Sequence, residues 1–198
     1  MSKRVARFRE IKKEVRIMGI DDCPFDPARQ KRTIVLGIVF RGGLWLDGAT
    51  STDVEIDGRD STERVVEMVK SSPHYKQLRV IMMDTITLAG FNIVDITRLN
   101  QETGFPIIAV TREKPNNDDV KSALRNLPDW EDRWRMIENA GDLNEIRVRN
   151  TTIFAHIAGI STNDAEAIVQ ISSTRANYPE PLRVAHLLAH GLYPKIHQ

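Results

Sequence analysis

Residues 15–25 have the sequence VRIMGIDDCPF, a short apolar run that ends on two adjacent carboxylates, Asp21 and Asp22, and is closed by Pro24. A run of this length and composition predicts a buried strand over residues 15–20. A buried, unpaired carboxylate costs several kcal/mol, so a strand that delivers aspartate to its end needs a compensating partner there. Solvent is one such partner and a metal ion is another.

Further strands and helices follow this first strand. TIVLGIVF at 33–40 and the alternating stretch STDVEIDG at 51–58 are strand patterns, and the turn sequences RGG and DGAT between them predict an antiparallel hairpin. The next predicted elements are a helix at 61–72, the strand RVIMMD at 79–84, a helix within 91–104 that ends at Gly104, and a strand at 106–111. The remaining sequence predicts helices at 117–127, 129–141, 161–172 and 179–191, and one or two strands within 145–159.

This order of elements predicts the fold class. Three strands joined by short turns, followed by two strands reached through helices, indicate an α/β fold. We expect a mixed five-stranded sheet in the order 3-2-1-4-5, with strand 2 antiparallel and helices flanking the sheet. With 198 residues and 41% hydrophobic composition, the chain fits a single domain over residues 1–198.

Acidic residues lie where that sheet brings two strand ends together. The first and fourth strands are predicted to be parallel neighbours, which places Asp21 and Asp84 at the same edge, about 4.8 Å apart. Two oxygens about 2.1 Å from one Mg²⁺ are separated by up to roughly 4.2 Å, so one ion fits between them. A third acid, Asp60 or Glu63, opens the predicted helix after the third strand. The alternative is that these aspartates only form turns.

Charge and cysteine content narrow the class of protein. The net charge is +1, but residues 1–16 hold seven Lys or Arg against two Glu, which suits a polyanionic partner contacted by Arg4, Arg7 and Arg9. A solvated basic N-terminus is the alternative. The single cysteine excludes an intramolecular disulfide and a Cys-rich zinc site. With no apolar run of about 18 residues and no signal-peptide pattern, we expect no membrane span and a cytoplasmic location.

Three stretches resemble a known family. GIDDCPF, MMDTITLAGFNIVDITRLNQETGFPIIAV and YPEPLRVAHLLAHG resemble, in this order, three signature regions of endonuclease V, a nuclease family with the RNase H-like fold. GIDD, DGRDST and AGFNIVDI resemble still more closely an archaeal, endonuclease V-related family known as domain of unknown function 99. The resemblance covers nearly the whole chain, and it implies an RNase H-like sheet.

The resemblance also implies an activity and a site. It makes Asp21, Asp84 and His186 counterparts of residues that bind Mg²⁺ or Mn²⁺ in a catalytic centre, with Asp60 in place of the family's glutamate. The implied activity is metal-dependent hydrolysis of phosphodiester bonds in DNA, at or near hypoxanthine or uracil, with RNA as the other candidate polymer. Because the Tyr-Ile-Pro-Gly wedge of endonuclease V has no match here, base specificity stays open. A nucleic-acid-binding protein that keeps the fold without turnover is the alternative function.

The resemblance distinguishes the two adjacent acids of the first strand. Successive side chains of a strand point to opposite faces, so only one of them can face Asp84, and the positional match selects Asp21. Asp22 is expected to face solvent or to bind nearby backbone. Without metal, Asp21 and Asp84 should repel, and one of them is expected to take up a proton near neutral pH.

The last predicted helix carries further candidates. Arg183 lies one turn before His186, where it can contact a phosphate in the nucleic acid or hold a neighbouring carboxylate. His186 and His190 have the spacing of a zinc pair, but Leu187 stands where that motif needs glutamate. We therefore expect His190 to be a cation at the helix end beside Gly191. The sequence leaves the oligomeric state open.

Overall fold

The computed structural model describes residue 8 and residues 10–196, with the backbone alone for residues 193–196. Within these residues one large mixed sheet carries helices on both faces, and a two-stranded hairpin lies beside it. The strands are β1 Arg16–Asp22, β2 Arg32–Arg41, β3 Trp45–Glu55, β4 Val80–Asp84, β5 Thr87–Leu88, β6 Asn92–Ile93, β7 Ile107–Thr111, β8 Asn144–Val148 and β9 Thr151–Ala158. The α-helices are α1 Ser61–Ser71, α2 Ile96–Thr103, α3 Asn117–Leu124, α4 Trp130–Asn139, α5 Thr162–Ser172 and α6 Glu180–Ile196, and a 3₁₀ turn covers Tyr75–Gln77.

The large sheet has the strand order β3-β2-β1-β4-β7-β9-β8. β2 is antiparallel to both of its neighbours, whereas β1, β4 and β7 are parallel to one another. The predicted order of the first five strands is therefore confirmed. The predicted total of five is corrected to seven in the described chain, because β8 and β9 form a hairpin and β9 pairs with the free edge of β7.

The observed ends of β1 and α6 differ from the predicted ends, whereas α2 ends where it was predicted to end. β1 extends to Asp22, so both acids belong to the strand itself. α2 does end at Gly104, which adopts a left-handed conformation with φ 76°, and Asp95 caps its start by accepting a hydrogen bond from the Arg98 amide. Gly191 does not stop α6, which continues to Ile196. A helical glycine costs only about 1 kcal/mol relative to alanine, and the following turn of helix offsets that cost.

Alternate side chains of β1 pack into two separate hydrophobic cores, one on each face of the sheet. Met18 and Ile20 join the cluster formed with α1 and α2, while Ile17 joins the cluster formed with α5 and α6 on the other face. Gly19 points to the same face as Ile17, and here α6 crosses the strand. A β-carbon at Gly19 would lie 2.4 Å from the carbonyl carbon of Pro181, so the helix backbone occupies the space that a side chain would need.

Gly19→Ala is therefore expected to destabilise the fold. Overpacking against main-chain atoms costs about 1–3 kcal/mol, and the displaced partner is the helix that carries His186. Urea unfolding at 25 °C measures the loss. The matched control is Gly191→Ala, where an added β-carbon meets nothing within 4 Å and should be neutral or stabilising. Equal stability of Gly19→Ala and the wild type would contradict this close approach.

Candidate metal centre

Asp21 and Asp84 lie side by side at the centre of the sheet. The parallel register pairs Ile20 with Met83, so the next pair along the two strands is Asp21 and Asp84. Both acids share the face of the sheet that α6 covers, because each is two residues beyond a side chain or glycine on that face. The sequence predicted this pairing, and the register of the strands confirms it.

α6 brings His186 to the two carboxylates. Ala185 and Ala189 anchor this helix in a small apolar cluster with Ile38, which leaves His186 on the flank that faces the strand ends. His186 Nδ1 lies 3.0 Å from Asp21 Oδ2. Each of Asp21, Asp84 and His186 offers one ligand atom, and these three atoms lie within 4.8 Å of one another. The fold thus collects a compact donor set of two carboxylates and one imidazole.

The donor set borders an open cleft of about 400 Å³. One wall is the loop after β4, which contains three residues with positive φ: Thr85 at 63°, Ala89 at 47° and Gly90 at 84°. Asp22 ties this loop to β1, since its Oδ2 accepts a hydrogen bond of 3.0 Å from the Ala89 amide. Asp22 therefore binds nearby backbone, as expected, and it also lines the cleft.

Burial dominates the electrostatics of the acids. The side chain of Asp21 is only 9% exposed, and burial, followed by the nearby charges of Asp84 and Asp22, raises its pKa to about 8. Burial likewise raises the pKa of Asp22 to about 6. The direction of this shift agrees with the expectation that one carboxyl takes up a proton near neutral pH, and it points to Asp21. Repulsion by Asp84, the expected cause, is second to desolvation.

The residues present fit a hard divalent cation. Carboxylate oxygens with one imidazole nitrogen are ligands that suit Mg²⁺ or Mn²⁺. A buried carboxyl that is driven to protonate is also a group whose charge a cation would compensate. Cys23 also lines the cleft, and burial raises the pKa of its thiol to about 11. It does not belong to the group of three residues whose ligand atoms lie within 4.8 Å of one another.

Asp60 does not lie in the cleft with Asp21, Asp84 and His186. Its carboxylate accepts hydrogen bonds from Arg32 at 2.8 Å, Asn92 at 2.7 Å and the Glu55 amide at 3.0 Å. Although burial opposes ionisation, these donors together lower the pKa of Asp60. The structure therefore does not bring Asp60 into the donor set, because an arginine on β2 compensates its charge, and its role as a third ligand stays a prediction. Neither Asp60 nor the exposed Glu63 lines the cleft.

Two residues of α6 also differ from the simplest expectation. Arg183 takes the second of its two predicted roles, since it binds Glu180 with hydrogen bonds of 2.6–3.1 Å, and the Glu180 side chain is 3% exposed. The structure thus places Arg183 on a carboxylate, and its assignment as a nucleic-acid contact stays a prediction. His190 is not at the helix end. Its ring contacts that of His186 with centroids 4.0 Å apart and planes tilted by 45°, and it lines the cleft.

The positions of two residues at the site, Asp22 and Tyr178, were not predicted from the sequence. Asp22 was expected only to face solvent or to bind nearby backbone, and it also borders the cleft. Tyr178 was not singled out, although its hydroxyl donates a hydrogen bond of 2.8 Å to Asp84 Oδ1. The available signal was its position directly before the Pro-Glu-Pro start of α6. The candidate nucleic-acid contacts Arg4, Arg7 and Arg9 lie outside the described residues.

The strand order, with two aspartates side by side on central parallel strands, is that of the RNase H-like fold. A sequence model of the endonuclease dU family matches residues 13–193, and the chain belongs to that family. The prediction of an archaeal, endonuclease V-related family is thereby confirmed. Family and fold together support a nuclease-like role.

Relatives and solved structures agree with this assignment. A UPF0215 protein of Methanothermobacter thermautotrophicus is 50% identical over 186 residues, which cover 93% of this chain and 91% of the relative. The crystal structure of a protein of unknown function from Archaeoglobus fulgidus matches with a TM-score of 0.80 at 38% identity, over 88% of this chain and 96% of that one. A third match is the crystal structure of Ciona intestinalis endonuclease V in complex with a 24mer DNA containing an inosine followed by a ribo-adenosine. Its TM-score is 0.61 at 14% identity, and the match covers 92% of this chain and 87% of that one.

Proposed function

We propose that the protein is a metal-dependent nuclease that hydrolyses phosphodiester bonds in DNA at or near a deaminated base. The observation that carries this proposal is the compact donor set of Asp21, Asp84 and His186 beside an open cleft. The family description, endonuclease dU, makes deoxyuridine the first candidate substrate. The inosine-containing DNA bound by Ciona endonuclease V makes hypoxanthine the second.

The proposed cofactor is Mg²⁺ or Mn²⁺, held by Asp21, Asp84 and His186. Such an ion lowers the pKa of a bound water and offsets the negative charge that develops on the phosphate. Because burial raises the pKa of Asp21 to about 8, binding of the ion would displace a proton from this carboxyl near neutral pH. His186 Nδ1 lies 3.0 Å from Asp21 Oδ2, and its side chain is 46% exposed, so it offers that proton a path to solvent.

Contacts to the DNA backbone are proposed for the N-terminal segment. Arg4, Arg7 and Arg9 would neutralise phosphates without regard to sequence, which is the usual role of basic arms. With Arg183 bound to Glu180, this segment carries the proposed backbone contacts. RNA remains the other candidate polymer, and a cytoplasmic location remains a prediction. In the part of the chain that the structure describes, no helix has the length and apolarity required to cross a bilayer.

A second candidate function rests on Asp60. The acid that the family resemblance assigns to the metal site is instead paired with Arg32 and Asn92. A site that has given up one ligand is what a nucleic-acid-binding protein without turnover would show. Binding without cleavage is therefore the outcome that distinguishes this alternative from the nuclease.

The test is a panel of end-labelled and internally labelled oligonucleotides, single- and double-stranded, with and without one dU or dI, and RNA equivalents. We expect cleavage in Mg²⁺ or Mn²⁺, none in EDTA, and a product end at a fixed distance from dU. Internal and end labels distinguish endonuclease from exonuclease action. DNA binding without cleavage under every metal condition would favour the non-catalytic alternative.

A further inference from the structure

Tyr178 connects the segment before α6 to the candidate metal centre. The residue is 4% exposed and belongs to the apolar cluster that contains Val110 and Leu182. Its hydroxyl donates a hydrogen bond of 2.8 Å to Asp84 Oδ1. Burial of the ring also prevents it from touching a bound nucleic acid directly.

The hydrogen bond constrains a carboxylate that would otherwise be free to rotate. Asp84 is the last residue of β4 and is only partly buried, so strand packing alone does not set the plane of its carboxylate. A donor on Oδ1 fixes that plane and leaves Oδ2 free of this partner. Outer hydrogen-bond partners that orient metal ligands in this way are commonly worth 10- to 100-fold in affinity.

Tyr178 is itself held rigidly. The guanidinium of Arg112 lies 4.5 Å from the centre of its ring, and the residue is buried in an apolar cluster. The short bridge between Ala176 and Tyr178 fixes the backbone just before α6. Because Tyr178 lies just before α6, its hydrogen bond couples the position of this helix to the Asp84 carboxylate. The helix that carries His186 therefore also sets, through Tyr178, the orientation of the carboxylate on β4.

We propose that Tyr178 is a positioning residue of the metal centre, which orients Asp84 toward the cation and makes no contact with DNA. This inference rests on the proposed function, because it requires that Asp84 binds a divalent ion. It assigns to the Tyr-Pro-Glu-Pro sequence at 178–181 a role in ligand geometry in addition to starting a helix. The packing of the buried ring holds the side chain in place, and its hydroxyl makes the hydrogen bond that orients Asp84.

Tyr178→Phe removes that oxygen alone. The ring, its packing and its contact with Arg112 are kept, and the partly exposed Asp84 can take a water in exchange, so the variant should fold. Isothermal titration of the metal-free protein with Mn²⁺ should show a Kd weakened by about 10-fold or more. Cleavage assays at a fixed, subsaturating Mn²⁺ concentration should show a lower kcat with an unchanged KM for the oligonucleotide.

The matched control is Tyr75→Phe, which removes a phenol oxygen bonded to the Thr103 carbonyl, away from the cleft. It should leave the Mn²⁺ affinity unchanged. If the wild type binds Mn²⁺ and Tyr178→Phe binds it equally well, the positioning role is wrong while the proposed function stands. If the wild type itself binds no Mn²⁺, both are wrong. A raised KM for DNA with unchanged Mn²⁺ affinity would also overturn the positioning role.

Discussion

Asp84→Asn is expected to abolish metal-dependent cleavage. The substitution keeps the size of the side chain and an oxygen that can accept the Tyr178 hydroxyl, so β4 and its surroundings should be preserved. It replaces one of the two carboxylates of the donor set with a neutral amide. Metal ions contribute several kcal/mol of charge stabilisation in phosphodiester hydrolysis. We expect kcat/KM to fall at least about 1000-fold, equivalent to about 4 kcal/mol of transition-state stabilisation.

Asp60→Asn is the control for the loss of cleavage that is expected of Asp84→Asn. It removes the same charge from an acid that Arg32 and Asn92 hold away from the cleft. We expect Asp60→Asn to lower the free energy of unfolding by about 1–3 kcal/mol, because a charged hydrogen-bond network loses its acceptor. The Kd for Mn²⁺ should be unchanged. If Asp60→Asn weakens Mn²⁺ binding as much as Asp84→Asn does, Asp60 is a ligand after all, and its pairing with Arg32 must open when the metal binds.

The centre of the fold and two of the three candidate ligands were predictable from local sequence. An apolar run that ends on aspartate is visible in a few residues, and the rules for strand connection place two such runs next to each other. The position of Asp21 opposite Asp84 follows directly, because side chains alternate along a strand. For His186 the residues alone gave only a helix, and the family resemblance supplied the role.

The rest of the site depends on long-range pairs that no local pattern encodes. Asp60 is separated by 28 residues from Arg32, and Tyr178 by 94 residues from Asp84. An acid at the start of a helix has the same local signature whether a metal or an arginine compensates it. The extension of the sheet was likewise hidden, because the free edge of β7 can accept β9 only once both strands are in place.

Asp21→Asn is expected to make the metal-free protein more stable at alkaline pH. Burial and two neighbouring acids raise the pKa of Asp21 from 3.8 to about 8 in the folded state. A carboxyl with a raised folded pKa stabilises the fold below its unfolded pKa, and this stability is lost as pH rises toward the folded pKa. The wild type should therefore lose up to about 1.4 kcal/mol per pH unit through Asp21 between roughly pH 4 and pH 8.

Asparagine removes this dependence. At pH 5 the variant should be equal to the wild type or less stable, because it weakens the hydrogen bonds that Asp21 makes with His186 and the Asp22 amide. At pH 8.5 it should be the more stable of the two. Urea unfolding in EDTA at half-unit pH steps measures the difference. In the control Asp22→Asn, the difference from the wild type should level off near pH 6, since the pKa of Asp22 is about 6.

Added metal should reverse the order of stability. A ligand that binds only the folded state stabilises it by RT ln(1 + [L]/Kd), about 2.7 kcal/mol at one hundred times Kd. Mg²⁺ or Mn²⁺ should raise the unfolding free energy of the wild type at pH 8.5 and leave Asp21→Asn nearly unchanged. The charge that destabilises the empty cleft is then the charge that binds the cation. If Asp21→Asn shows no gain in EDTA and the wild type none in millimolar metal, Asp21 is only the end of a strand, and the proposed mechanism is wrong.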